Sequence, residues 1–263
     1  MKSTLLIICF VFVSLIGAFA QSSFYDLLEL RPTISNYNGS VVGGSTILVY
    51  GDAGTITRSS NGGQSWEKIL LGDSLNIIGI VKSGDKFIGL CSKRFGITSQ
   101  DGGINWSFTD LGEATEYYKI QNINGKIYVL MNGKFVVMSE NFSILKQYEF
   151  PTDSLYNDFA TSDKWALCSA GPGKLASINL ENDELNIIDL KGNEICSDCP
   201  VPKLLTPYDD GRVVFSLNGD LYDYDFKYTI IQPTVQLQKI NGGALTSRDN
   251  DLYFIHSRNF PWV

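Results

Sequence analysis

The chain has 263 residues, 44% of them hydrophobic and 12% aromatic, with 28 acidic against 21 basic side chains and a net charge of −7. An acidic chain without basic runs argues against nucleic acid or an anionic membrane surface as a partner. With His256 as its single histidine it has no spare base for a Ser-His-Asp arrangement and no second ligand pair for zinc, so neither a metal nor a cofactor is expected.

The first twenty residues combine a short basic start at Lys2, an apolar run from Leu5 to Ile16 and the small-residue ending Ala18-Phe19-Ala20. This reads as a cleaved secretory signal, and the run is too short to cross a bilayer comfortably. Residues 21–263 are then expected to form one exported domain, extracellular or periplasmic, with no membrane insertion after cleavage. Helical periodicity is nearly absent. Thirteen Tyr, fifteen Phe and many Ile and Val, broken every few residues by Gly, Asn, Asp or Ser, predict short strands joined by tight turns.

Beyond residue 40 the chain repeats. Each unit opens on a Gly, Asn, Asp or Ser turn that leads into an apolar run: Ile47-Leu48-Val49-Tyr50, Phe87-Ile88-Gly89-Leu90, Ile127-Tyr128-Val129-Leu130, Trp165-Ala166-Leu167, Val213-Val214-Phe215 and Leu252-Tyr253-Phe254-Ile255. The residues just before these runs, Thr46, Lys86, Lys126, Lys164, Arg212 and Asp251, are 40, 40, 38, 48 and 39 apart. A second turn closes each run, and another strand follows from Thr55, Ile97, Phe135, Leu175, Leu221 and Phe260. Units of this period without crossover helices predict an all-β fold, a six-bladed β-propeller of four-stranded antiparallel blades. The sixth unit stops at Val263 after its third strand, while residues 24–30 belong to no unit. Pairing of that N-terminal segment as the missing outer strand would close the last blade and remove its exposed edge.

The first two units share a motif offset by 40 residues: Ser59-Ser60-Asn61-Gly62-Gly63-Gln64-Ser65-Trp66 and Ser99-Gln100-Asp101-Gly102-Gly103-Ile104-Asn105-Trp106. The short amide or acidic side chain is expected to accept backbone N–H groups, Gly to take positive φ and Trp to pack across the strand ends. Residues 139–143 look like an eroded third copy without Gly or Trp, and units four to six have none. The motif resembles the Asp box, Ser-x-Asp-x-Gly-x-Thr-Trp, of the Asp-box or BNR-repeat propellers. Residues 51–58, Gly-Asp-Ala-Gly-Thr-Ile-Thr-Arg, running into the first copy, are most similar to the photosystem II assembly and stability factor-like repeats. The resemblance implies that Ser59, Asn61, Gly63, Trp66, Ser99, Asp101, Gly103 and Trp106 are structural and lie away from the usual ligand face. That family's propellers are commonly seven-bladed, from which six units depart.

Among catalytic readings, the boxes raise a sialidase, which needs an arginine triad; Arg31-Pro32 lacks the family's Ile, and Arg58, Arg94, Arg212, Arg248 and Arg258 are spread over different faces. Another secreted glycoside hydrolase, using a carboxylate pair on the central face, is the alternative function. Asp220, Asp223 and Asp225 alternate along a strand and read as a solvated face sooner than a calcium site. The CxxC pair Cys196 and Cys199 reads as a small structural disulfide or as two free thiols. The favoured reading is a non-catalytic protein- or glycan-binding or assembly module. Its ligand face is built by the loops joining second to third strands and entering each blade, with Asp52, Arg94, Tyr117, Tyr118, Tyr156, Asp158 and Arg258 as candidate binding residues.

Overall fold

Strand follows strand through antiparallel hairpins. The computed structural model describes residues 36–112, 116–150, 158–192, 195–198, 200–209, 211–217, 220–235, 244–248 and 251–255. Sheet one holds β1 (Tyr37–Gly43), β2 (Thr46–Gly51), β3 (Thr55–Ser59) and β4 (Glu67–Leu70), and sheet two holds β5 (Ile77–Ser83), β6 (Lys86–Cys91), β7 (Phe95–Ser99) and β8 (Ser107–Asp110). Sheet three contains β9 (Tyr117–Ile123), β10 (Lys126–Met131), β11 (Lys134–Met138) and β12 (Ile144–Glu149). Sheet four contains β13 (Phe159–Thr161), β14 (Trp165–Ser169), β15 (Lys174–Asn179) and β16 (Glu184–Asp189). Sheet five contains β17 (Lys203–Asp209), β18 (Arg212–Leu217), β19 (Asp220–Asp225) and β20 (Ile230–Val235), and a two-stranded sheet pairs β21 (Ala244–Arg248) with β22 (Asp251–Ile255).

Each of the six apolar runs is the second strand of its own sheet, and in the five four-stranded sheets strand order in space follows strand order in sequence. Residues 24–30 and the strand expected from Phe260, on which closure of the last blade depends, lie outside the described residues, as does the segment read as a secretory signal, residues 1–20. Among the described residues the only helical turn is the 3-10 turn Ser92–Arg94. No helix among them is long and apolar enough to cross a membrane.

Burial explains why the runs are apolar on both faces. β3 and β14 are buried at every residue, and β6, β10, β11 and β18 at every residue but the first. A strand covered on both faces reads as a continuous hydrophobic run instead of an alternation. The fourth strands, at the sheet edge, carry Lys, Glu, Asp or Asn and are largely exposed, β8 along its whole length. Such charged edges discourage pairing with other chains.

The chain divides into two compact units, Met1–Ala114 and Thr115–Val263. In the first, Leu48 and Ile56 of sheet one share a core with Ile77, Phe87 and Ile97 of sheet two. In the second, Phe135 and Tyr148 of sheet three pack with Phe159 of sheet four, the Phe135 and Phe159 rings meeting edge to face at 5.2 Å. Leu167 and Leu175 of sheet four pack with Phe215 and Tyr224 of sheet five. Within each unit, buried aliphatic and aromatic side chains thus fill the space between neighbouring sheets and supply the main stabilising term.

Candidate functional site

The two eight-residue motifs form the same turn between third and fourth strands. Ser99 ends β7, is buried, and its Oγ accepts the Gly103 N–H at 2.9 Å; Ser59 does the same for Gly63 at 2.8 Å. Asp101 accepts the Ile104 and Asn105 backbone N–H groups and the Asn105 side-chain amide. Those bonds, first of all the Asn105 N–H, lower its pKa to about 2. In the first copy Asn61 Oδ1 accepts the Ser65 N–H, and Asn61 Nδ2 donates to Ser65 Oγ at 2.8 Å. Trp66 and Trp106 are half-buried, and each donates its indole N–H to the carbonyl of the second motif glycine, at 3.1 and 3.0 Å.

These turns also bind sheet to sheet. Arg58, with a side chain 10% exposed, pairs with Glu67 and donates from Nε to the Gly102 carbonyl at 2.6 Å, so sheet one grips the turn of sheet two. A Cβ on Gly103 would stand 2.8 Å from Leu48 of sheet one. In the second unit Lys146 of sheet three does likewise, donating to the Leu180 carbonyl and to Asp183 of sheet four, both at 2.6 Å. Tyr148 also donates to Asp183, and the Lys146 bond first, with that of Tyr148, holds the Asp183 carboxyl below its ordinary range while burial pushes the Tyr148 phenol up.

At the opposite strand ends, second-to-third turns meet the segments that enter each sheet. Asp52 accepts amide N–H groups from Asn36 and Asn38, and Asn38 also donates to the Ile77 carbonyl. Asn76 ties two turns together: its Oδ1 accepts the Ala53 N–H at 3.2 Å, and its carbonyl accepts the Ser92 N–H at 2.7 Å. The backbone is strained at this rim. Ala53 (φ 52), Lys93 (φ 75) and Arg94 (φ 147) all lie at positive φ without being glycine. Arg94 is about half exposed, ion-paired with Asp110 at 2.9 Å and seated 5.9 Å from the Phe95 ring centroid.

No protein-family model matches the chain. No curated protein matches it. Solved structures do: YCF48 from Cyanidioschyzon merolae is similar with a TM-score of 0.63 at 14% identity, over 88% of this chain and 85% of that one. The Cps50 (Swd1) β-propeller domain of Myceliophteria thermophila is similar with a TM-score of 0.62 at 9% identity, over 82% and 77%. The Neurospora crassa Pan2 WD40 domain is similar with a TM-score of 0.59 at 9% identity, over 82% and 71%. The fold is that of a β-propeller.

The sheets are therefore its blades. Of the candidate binding residues, Asp52 and Arg94 lie on the rim of the first two blades, with Asn76 between their turns. Tyr117 is buried at the start of β9 and offers no exposed anchor, while half-buried Tyr118 donates to Glu116 at 3.0 Å. Asp158 pairs with Lys119 and accepts the Phe159 N–H. Tyr156 and Arg258 lie outside the described residues, as does His256. Asp223 departs from the expected solvated face: it is 2% exposed, and Arg212 lies 3.7 Å from it and 3.4 Å from Asp225. Cys196 is disulfide-bonded, its expected partner Cys199 lies outside the described residues, and Cys91 and Cys168 are free and buried. No cluster of three metal-ligating side chains occurs among the described residues.

Three features were missed in the sequence. Asn76 bridges two turns from a position with no motif around it. In blades four and five the capping side chain is the last residue of the third strand itself: Asn179 accepts the Glu181 N–H, and Asp225 accepts the Lys227 N–H. These turns are four residues long and close on Asp183 and Thr229 at positive φ. The third is a cleft of about 470 Å³ between blades four and five at the capping-turn end, lined among others by Lys164, Trp165, Asn186 and Phe226.

Proposed function

We propose that this protein is an exported, non-catalytic Asp-box propeller whose six blades close into a ring through the N-terminal strand, and that it serves as a binding or assembly module for a protein partner. The turns around Asp101 and Asn61 support the Asp-box assignment by their bonding, and their role is to hold neighbouring blades together. The observation that carries the binding role is the strained rim at Lys93 and Arg94. Non-glycine residues at such φ cost on the order of 1 to 3 kcal/mol each and persist where surrounding structure enforces them, typically at ligand-contacting sites. The Asn76–Ser92 bonds fix the start of this turn, which presents the exposed Lys93 beside Arg94 and its Asp110 partner.

The partner should carry an acidic patch, and association should weaken with added salt. Affinity capture with the mature chain, compared with a Lys93→Glu/Arg94→Glu variant, tests this. The expected result is a protein retained by the first and lost from the second; captures identical in both would refute the rim. Lys93→Gly should separate strain from contact, raising stability by about 1 kcal/mol in thermal melts while weakening capture.

A further inference from the structure

We infer that the cleft between blades four and five is a binding site for a neutral oligosaccharide. It is independent of the rim and lies at the opposite strand ends, where the capping turns of β15 and β19 meet the hairpins at Lys164 and Gly211. Its volume of about 470 Å³ falls within the range of small-molecule sites.

The composition of its walls selects the ligand class. Eight lining side chains are polar and three are aromatic. The charges balance, Lys164 and Lys227 against Glu181 and Glu184. An anion would face two carboxylates and a cation two ammonium groups, so neither sign is favoured. The centre of a protein-binding surface is depleted of charge and rich in apolar anchors, which this cleft is not. A polyhydroxylated neutral molecule is served on both counts, because each hydroxyl donates to a carboxylate or accepts from an ammonium or amide.

The walls are also fixed beforehand. Glu184 is oriented by the amides of Asn182 and Asn186, at 3.3 and 3.1 Å. Tyr224 donates to Ser177 at 3.2 Å in the wall where the blades meet. Trp165 and Phe226 stack with centroids 4.2 Å apart and planes 24° apart, and Phe226 stays half-exposed. Tyr224 meets Phe226 edge to face at 4.8 Å, so the exposed part of this aromatic cluster is an apolar edge for the C–H groups of a sugar, with hydrogen-bonding groups placed around it.

The test is calorimetric titration of the full mature chain with maltose, cellobiose, lactose and N,N′-diacetylchitobiose, each to roughly 20 mM, beyond the weak end of measurable affinity. Tryptophan fluorescence is followed in parallel. At least one disaccharide should saturate, and Asn186→Ala and Glu181→Gln, both exposed substitutions, should each weaken it about tenfold with unchanged melting temperature. Lys93→Glu/Arg94→Glu should leave it unchanged, so loss of partner capture at the rim and loss of sugar binding fail separately. No saturation by any of the four, binding indifferent to both cleft variants, or tighter binding of 3′-sialyllactose than of lactose would each overturn the assignment.

Discussion

At the scale of single residues, the two capping turns are alternative solutions to one bonding problem. Where Asp101 accepts, Asn105 must donate; where Asn61 donates, Ser65 accepts. Asp101→Asn replaces charge-assisted bonds to three N–H groups by neutral ones and makes the Asn105 amide turn its oxygen to the new donor, so it should lower the melting temperature, and Asp101→Asn/Asn105→Ser, which installs the first turn's pair, should recover part of the loss. The same residue gives an acid dependence whose sign is fixed. Its folded pKa is depressed from 3.8 to about 2, so the turn's stabilisation is complete above the unfolded value and is lost as pH falls toward the folded one. Urea titrations between pH 7 and 2 should show the wild type losing part of its stability below about pH 4, a part absent from the double variant. An identical acid profile in the two would show that Asp101 does not hold the turn.

At the scale of the element, the turn is also the latch of the next blade. Gly62 and Gly103 both need positive φ, but a Cβ on Gly62 meets nothing within 4 Å while one on Gly103 meets Leu48 at 2.8 Å. Gly62→Ala should therefore cost about 1 kcal/mol, the backbone cost alone, and Gly103→Ala clearly more in equilibrium unfolding. Equal costs would remove Leu48 from the account. Arg58→Ala, which strips a charged donor from the Gly102 carbonyl, should cost about 2 kcal/mol, and Trp106→Ala about 3 kcal/mol. Because both act on one turn, the double variant should fall short of the sum by about 1 kcal/mol. Much of this was legible in sequence: Ser, Gly and Trp at fixed offsets disclosed the turn, and unbroken apolar runs disclosed the second strands. Contacts of Arg58 with a carbonyl 44 residues away, and of Leu48 with Gly103, depend on how blades pack, which no local pattern encodes. The caps of blades four and five escaped for another reason. Asn179 drew no notice and Asp225 read as part of a solvated strand face, since the four-residue turn they close needs neither Gly nor Trp. The cleft was equally hidden, because Lys164, Asn186 and Phe226 come from three separate hairpins.

At the scale of the whole molecule, the proposed ring makes a claim about cooperativity. Repeat arrays held only by neighbour contacts open piecemeal, while a closed array should open as one body. Two buried free thiols, one in each compact unit, report on this directly. Cys91 in β6 has its pKa pushed up to about 12 by burial, and Cys168 in β14 is pushed well above its ordinary value by burial first of all. Since the thiolate is the reactive form, neither should react with iodoacetamide in the native state, and each labels only when its strands open. With urea held below the unfolding midpoint and labelling slower than reclosing, the rate at each thiol measures the free energy of the opening that exposes it. A ring predicts the same opening free energy, and the same urea dependence, at Cys91 and Cys168 by peptide mass analysis. If one thiol labels through a smaller opening with a shallower urea dependence, the two units unfold separately, and the closing strand that joins the chain ends in the proposal is not there.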